Sequence, residues 1–166
     1  MTTPAATAAT ASTTGPDLEA TLAVAAPPAQ VWAVVTDVAR MGEWSPQVVR
    51  TVVLGGPVRL GTRFLNLNHQ GLKHWPTSAK VVRFAPHRDF AFRISENRTV
   101  WSFGLEPTAA GGTLVIHRRE TPDGISSVSN LLVDKLLGGQ ASFVPELRRG
   151  MVRTLERIKA EVESRV

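Results

Sequence analysis

The feature that most limits how this chain can fold is a series of short segments between residues 48 and 120 in which apolar and polar residues alternate. Pairs containing glycine, proline or asparagine interrupt the series about every 10 to 15 residues, and no helical spacing occurs between them. The segments read VVRTVVL, TRFLNLN, WPTSAKVVRF, DFAFRI, VWSFGLE and TLVIHRRE. This pattern predicts six consecutive antiparallel strands.

The region before this series predicts one more strand and two short helices. Residues 17–24, DLEATLAV, alternate as a half-buried strand does. Pro28 can then occupy the first position of a helix, because a proline there loses no intrahelical hydrogen bond. The valines that follow recur at helical spacing, at Val31, Val34, Val35 and Val38. The run RMGEW predicts a second helical turn that ends before Pro46.

The last third of the chain is helical in pattern. Leucines form a first apolar cluster at Leu131, Leu132, Leu136 and Leu137. A second set recurs every three or four residues and forms one apolar stripe, at Val144, Leu147, Met151, Leu155, Ile158 and Val162. Gly138, Gly139 and Pro145 predict a break or kink between the two halves, since an internal proline removes a backbone hydrogen bond.

These elements predict an α+β fold, in which a curved antiparallel sheet of about seven strands wraps around a long C-terminal helix. The two short helices follow strand one. A sheet and helix of this kind can leave a ligand cavity between them. We therefore expect a single ligand-binding domain over residues 17–166, preceded by a disordered Ala/Thr-rich tail over residues 1–16.

Composition excludes several classes of protein. The 166 residues include no cysteine, so disulfides, thiolate metal sites and cysteine nucleophiles are ruled out. The net charge is +5, but six of the nineteen basic residues lie in the last nineteen positions, interleaved with glutamates as on a solvated helix face. We expect no nucleic-acid partner. The N-terminal run has neither a signal peptide's basic start nor an apolar span, so we expect a cytoplasmic protein with no membrane span.

One motif resembles a known family. The pattern P-x-x-V-W-x-x-x-x-D-x-x-R-x-x-x-W-S-P begins at Pro28 and ends at Pro46. With GTRF, WPT, FAF, WSF and EPTAAGGT at the strand positions, it resembles the START-like, helix-grip (SRPBCC) superfamily, and within it the polyketide cyclase/dehydrase-type proteins of bacteria. The resemblance covers residues 17–166. It implies the helix-grip fold and a ligand pocket, but no single reaction and no invariant catalytic set.

Period-two counting along the strands gives the candidate pocket residues. Side chains two apart share a face, which groups aromatic and polar residues together on several strands. With Trp44 closing one end of the sheet, the candidate ligand-binding residues are Trp44, Phe64, Asn66, Asn68, Trp75, Thr77, Phe92, Trp101, Phe103 and His117. The aromatic members are also what a packed core would contain. The opposite register of residues 62–68 would point Leu65 and Leu67 inward and both asparagines to solvent.

Three histidines and one arginine invite chemical interpretations. His117 is the one weak catalytic candidate, because an imidazole titrates near neutral pH and could move a proton on an enolisable ligand; a satisfied or exposed histidine is the alternative. Arg119 could hold a carboxylate with two hydrogen bonds, or could be a solvated strand end. His69 and His74 flank a turn without a nearby cysteine or carboxylate, which is a weak zinc pattern. We expect no metal site and no cofactor.

The sequence therefore predicts a protein that binds a hydrophobic small molecule, aromatic, polyketide-like or lipid-like, between the sheet and the C-terminal helix. The alternative is a polyketide cyclase or dehydratase that uses His117 for proton transfer, with an asparagine amide as the oxyanion donor. A third possibility is an interaction module that docks through a helix face or through Leu65 and Leu67. The expected state is a monomer or homodimer.

Overall fold

The computed structural model describes residues 17–123 and 140–165, and seven strands in this part of the chain form one antiparallel sheet. The strands are β1 (Leu18–Val24), β2 (Val48–Leu54), β3 (Arg63–Gln70), β4 (Lys73–Ala85), β5 (Asp89–Ile94), β6 (Val100–Pro107) and β7 (Thr113–Glu120). Their order is β1-β7-β6-β5-β4-β3-β2, so the six strands from β2 to β7 form a meander and β1 pairs with the last of them. The predicted sheet is confirmed.

Two short helices connect the sheet's two edge strands. Helix α1 (Pro28–Val35) begins with Pro28 in its first turn, and a 3-10 turn (Val38–Arg40) leads into helix α2 (Met41–Trp44). Gly42 allows α2 to lie against β2, because a Cβ at this position would be 3.0 Å from the carbonyl oxygen of Val49. The chain becomes extended at Ser45 and enters β2 three residues later.

The long C-terminal helix α3 (Gln140–Glu163) packs along β1 and the short helices. Its Lys159 Nζ donates to the carbonyl oxygen of Ala23 at 2.8 Å, and the backbone N–H of Ala25 donates to Glu163 Oε1 at 2.8 Å. At the other end, Gln70 Nε2 donates to Glu146 Oε2 at 2.6 Å, which ties the β3–β4 hairpin to the helix. The helix is therefore fixed to the end of β1 at one edge of the sheet and to β3, next to the other edge.

The apolar stripe predicted on the C-terminal helix faces the sheet. Its side chains from Leu147 onward are buried, at Leu147, Met151, Leu155, Ile158 and Val162. They meet the inward faces of the strands and the valines of α1, which together form the hydrophobic core. Burial of this stripe supplies the driving force that holds helix and sheet together.

Pro145 does not break the helix, so that part of its predicted effect is wrong. It lies in the sixth position of α3, and the helix continues through it to Glu163. The proline removes one backbone hydrogen bond, to the carbonyl oxygen four residues earlier, and the helix tolerates this loss. The predicted break at Gly138 and Gly139, the leucine cluster of residues 131–137 and the tail of residues 1–16 lie outside the described residues.

Two strands depart from regular pairing. Strand β4 has thirteen residues, and its register with β5 shifts between Val81 and Arg83. A second shift lies between Val48 and Arg50, where β2 pairs with β3. Such irregularities bend a strand and increase its twist. They lie near opposite ends of the inward face and allow the sheet to curve around the helix.

Candidate ligand-binding site

A cavity of about 150 Å³ lies between the inward face of the sheet, the α2–β2 connection and helix α3. Nine of the ten predicted pocket residues line it, eight from the inward faces of strands and Trp44 from α2. They are Trp44, Asn66, Asn68, Trp75, Thr77, Phe92, Trp101, Phe103 and His117. In β3 the register places Asn66 and Asn68 inward, whereas Leu65 and Leu67 are exposed on the outer face.

Phe64 is the predicted pocket residue that the structure places elsewhere. It shares the inward face of β3 with Asn66, but it is fully buried in the hydrophobic core. Its ring meets that of Phe92 edge-on, with ring centroids 5.2 Å apart. Phe64 lies two residues before Asn66, where core side chains fill the space over the sheet. Its role is therefore packing.

Aromatic rings form one wall of the cavity around Phe103. The imidazole of His117 is stacked on one side of this ring, with ring centroids 4.2 Å apart, and Trp44 meets the ring edge-on at 5.8 Å. The Trp101 ring, on the same strand as Phe103, has its centroid 5.6 Å from that of His117. Because β6 and β7 are paired at Phe103–His117 and Trp101–Arg119, these four side chains are held in fixed register.

His117 is buried, and its hydrogen bonding determines its tautomer. Nδ1 lies 3.0 Å from the carbonyl oxygen of Ser102, which can only accept, so Nδ1 carries the proton and donates. Burial lowers the pKa of His117 to about 4, and the bond to Ser102 only partly offsets this. The imidazole is therefore neutral at pH 7. Its Nε2 bears a lone pair and can accept a hydrogen bond in the cavity wall.

The two asparagines differ in how they are held. Asn68 Nδ2 donates to Thr77 Oγ1 at 2.9 Å and to the Trp75 carbonyl oxygen at 3.3 Å. Asn66 Oδ1 accepts from Thr51 Oγ1 at 2.6 Å, while its Nδ2 has only the sulfur of Met41, at 3.7 Å. A thioether is a weak acceptor. The amide N–H of Asn66 is thus the asparagine donor best able to serve a ligand oxygen.

Trp44 lines the cavity from α2, and its indole carries a polar group. The side chain is 2% exposed. Its Nε1 is buried and has no hydrogen-bond partner in the described part of the chain. A buried indole N–H usually finds an acceptor, and leaving it unpaired costs about 1–3 kcal/mol. Trp44 therefore contributes an unpaired hydrogen-bond donor as well as an apolar ring.

Arg119 is the charged residue in the cavity lining. It is 5% exposed, and burial lowers the pKa of its guanidinium while the charge of Asp17 opposes this. No hydrogen bond or ion pair to its guanidinium is found among residues 17–123 and 140–165. An arginine stays protonated even when buried, because its pKa starts so high. From the sequence, Arg119 could either hold a carboxylate or be a solvated strand end. The structure shows that it is buried.

Several lining residues come from elements that strand counting does not reach. Leu147, Gly150, Met151 and Thr154 project from α3, Ser45, Pro46 and Gln47 lie in the α2–β2 connection, and Val48 begins β2. Met41, Ile94 and Asn97 complete the wall. Leu147 and Met151 belong to the predicted apolar stripe of α3. This stripe could have identified them as cavity residues, because a stripe that faces the sheet must also face any cavity between helix and sheet.

The remaining histidine pair lies beside the site. The rings of His69 and His74 stack with centroids 5.9 Å apart, and His69 Nε2 is 3.0 Å from the Pro46 carbonyl oxygen. In the described ranges, no three His, Asp or Glu side chains are grouped as metal ligands. No helix within these ranges is long and apolar enough to cross a membrane.

Solved structures share this architecture. The ZhuI aromatase/cyclase from a Streptomyces species aligns with a TM-score of 0.74 and 19% identity, over 90% of this chain and 94% of that one. A Thermus thermophilus protein aligns at 0.67 and 16% identity, over 90% and 98%. The di-domain ARO/CYC StfQ of the steffimycin biosynthetic pathway aligns at 0.68 and 19% identity, over 90% of this chain and 51% of that one. At these identities the likeness shows the fold.

A search of curated protein sequences gives no significant match. The family comparison is decisive because it covers nearly the whole chain. A family model described as "Polyketide cyclase / dehydrase and lipid transport" matches residues 16–163, which include every described strand and helix. The chain belongs to the polyketide cyclase/dehydrase and lipid transport family.

Proposed function

We propose that this protein binds a hydrophobic small molecule, with an aromatic, polyketide-like or lipid-like body, in the cavity between the sheet and helix α3. The observation that carries the proposal is the cavity wall itself, in which Trp75, Phe92, Trp101 and Phe103 surround a few polar groups. Ligand sites are mostly apolar concave spaces with a small number of placed polar groups. The family description, which names both polyketide cyclases and lipid transport, supports the same class of ligand.

A cavity-filling variant tests the proposal. Gly150 lines the cavity, and a Cβ at this position would meet only Pro46, at an ordinary 3.8 Å. The backbone therefore accepts a Cβ here, and we expect the side chain of Gly150→Leu to occupy the cavity, while leucine in place of a helical glycine should add stability of about 0.5–1 kcal/mol. Val152→Leu, on the exposed side of the same helix, is the matched control.

The measurement is native mass spectrometry of the protein purified from its own host, followed by calorimetric titration with any retained molecule and with a panel of apolar aromatics. We expect a retained ligand on the wild type and on Val152→Leu, and at least about tenfold weaker binding to Gly150→Leu, which corresponds to about 1.4 kcal/mol. Equal binding to all three proteins would contradict a ligand in this cavity.

A second candidate function is supported by His117. His117 lines the cavity as a neutral imidazole whose Nε2 can accept, and on the same wall the amide N–H of Asn66 has only the weak thioether acceptor of Met41. In a cyclase or dehydratase of an enolisable polyketide, Nε2 would take a proton from carbon while the Asn66 N–H stabilises the developing oxyanion. The low pKa of His117 makes it a weak base, and this favours a binding function over catalysis.

Turnover of a linear polyketide substrate separates the two functions. His117→Ala removes the base, and Asn66→Ala removes the donor. In the catalytic alternative both variants lose about 100-fold or more in kcat. Unchanged turnover in His117→Ala would eliminate the catalytic role while leaving ligand binding intact.

A further inference from the structure

The charge on the described side chains that line the cavity is of one sign, positive. Of the side chains that line it in the described part of the chain, Arg119 carries a full charge and none is an aspartate or glutamate. The other polar members are amides, hydroxyls, the neutral His117 and the indole of Trp44. A cation without a carboxylate on the same wall gives the cavity a positive electrostatic potential, which favours an anionic group on its occupant.

Asp17 acts on Arg119 through its charge but forms no salt bridge with it. Asp17 raises the pKa of Arg119 through its charge, but its Oδ1 accepts from the backbone N–H of Thr121 at 2.8 Å and from the Thr121 hydroxyl at 3.1 Å. No ion pair joins Asp17 to Arg119. The neighbouring Arg118 is different, because its Nε is paired with Glu19 at 2.7 Å on the outer face. Burying a cation without a partner is costly, and a bound anion would remove that cost.

A second donor near the same rings has no acceptor. The buried Trp44 Nε1 has no partner in the described residues, and the Trp44 ring contacts Phe103 edge-on. Phe103 is paired with His117, and Arg119 lies two residues further along the same inward face. Both unpaired donors are therefore held around one aromatic cluster, formed by Trp44, Phe103, Trp101 and His117.

We propose that the ligand is an acid, with an aromatic or similarly apolar body and one carboxylate, and that Arg119 and the Trp44 N–H hold this carboxylate. Guanidinium and carboxylate match in shape and can form two parallel hydrogen bonds, and the indole N–H supplies a further donor. The Nε2 of His117 accepts only, so the carboxylate lies on the Arg119 side of Phe103 and the apolar body lies against the rings. This inference rests on the proposed binding function.

Calorimetric titration at pH 7.5 with two matched ligand pairs tests it. The pairs are 2-naphthoate with 2-naphthamide and cinnamate with cinnamamide, which differ in charge and hardly in shape. The variants are Arg119→Met, which removes the charge and keeps an unbranched apolar side chain, Trp44→Phe, which removes the N–H and keeps a ring, and Arg118→Met as the control. Circular dichroism melting shows that each variant is folded.

We expect the wild type and Arg118→Met to bind each acid at least about tenfold more tightly than its amide, as for a charge-assisted pair of hydrogen bonds. Arg119→Met should lose this preference while its affinity for the amides stays within about threefold, and Trp44→Phe should bind the acids at least about threefold more weakly. Equal binding of acid and amide by the wild type, or a preference that survives in Arg119→Met, would overturn the acid assignment and leave apolar binding standing. If neither the acids nor the amides bind, both the acid assignment and the proposed binding function fail.

Discussion

The imidazole of His117 lies parallel to the ring of Phe103, with planes 1° apart and centroids separated by 4.2 Å. This stack occurs between paired strands and under full burial, and it places a titratable group where a positive charge is poorly solvated. The consequence is measurable as a dependence of stability on pH, independently of any ligand.

We expect His117 to destabilise the fold in acid. Its pKa is lowered from an ordinary 6.5 to about 4, so between these values the unfolded chain binds a proton that the folded chain does not. Stability therefore rises with pH through this window and is lost as the pH falls from 6.5 towards 4, by up to about 3 kcal/mol. In His117→Phe, which keeps the stack, this loss should be absent.

Urea denaturation at pH 7 and at pH 4.5 measures the effect in both proteins. His74→Gln, at an exposed histidine, serves as the control and should behave as the wild type does. If the wild type and His117→Phe lose the same free energy of unfolding on acidification, His117 does not titrate as its burial requires.

Trp44→Ala should destabilise the protein by about 3 to 5 kcal/mol, because truncation of a fully buried indole leaves a cavity. Trp44→Phe should cost much less, since a ring still packs on Phe103 and the lost N–H has no partner in the described residues. Chemical denaturation gives both values. A loss under about 1 kcal/mol for Trp44→Ala would show that Trp44 does not close the end of the sheet.

Gly42→Ala should destabilise the fold by about 1 to 3 kcal/mol, because the added methyl group meets rigid backbone. Its Cβ would lie 3.0 Å from the carbonyl oxygen of Val49 and 3.1 Å from that of Val48. Gly56→Ala is the control, because nothing lies within 4 Å of a Cβ there. Thermal melting compares the two, and equal melting temperatures would contradict a tight contact between α2 and β2.

The Thr51–Asn66 hydrogen bond should show energetic coupling. Thr51→Val leaves the buried Asn66 Oδ1 without its 2.6 Å donor, at a cost of about 1–3 kcal/mol. Once Asn66 is replaced by leucine, the Thr51→Val change should cost at least about 0.5 kcal/mol less, as expected for residues in direct contact. Unfolding free energies of the four proteins complete the cycle, and simple additivity would argue against the bond.

Most of the sheet could be predicted from the sequence because each strand alternates and each turn carries its own signal. Gly71 illustrates this: with φ of 59° it occupies the first central position of the β3–β4 hairpin, where glycine is favoured. The register of β3 could not be predicted, since both faces of RFLNLN mix apolar and polar residues. The pairing of β3 with β2 and β4, whose inward residues are fixed by the core, determines it.

The candidate site was predictable where it rests on strands and not where it depends on tertiary contacts. Period two identified His117 and Asn66, but could not separate Phe64, which packs in the core, from Phe92, which reaches the cavity. Nor could it show that Arg119 is buried without a partner while Arg118 is paired outside. Whether an inward side chain packs in the core or lines the cavity depends on tertiary contacts between the helix and the sheet. No local sequence pattern encodes those contacts.

The placement of the tryptophans has a spectroscopic consequence. The chain has four tryptophans and no tyrosine, and Trp44, Trp75 and Trp101 all line the cavity. The fourth, Trp32, packs against Phe84 and Phe90 in another part of the fold. Intrinsic fluorescence therefore comes mainly from the cavity wall, and a Trp32→Phe variant would emit from that wall alone. The protein carries its own label-free optical reporter of cavity occupancy.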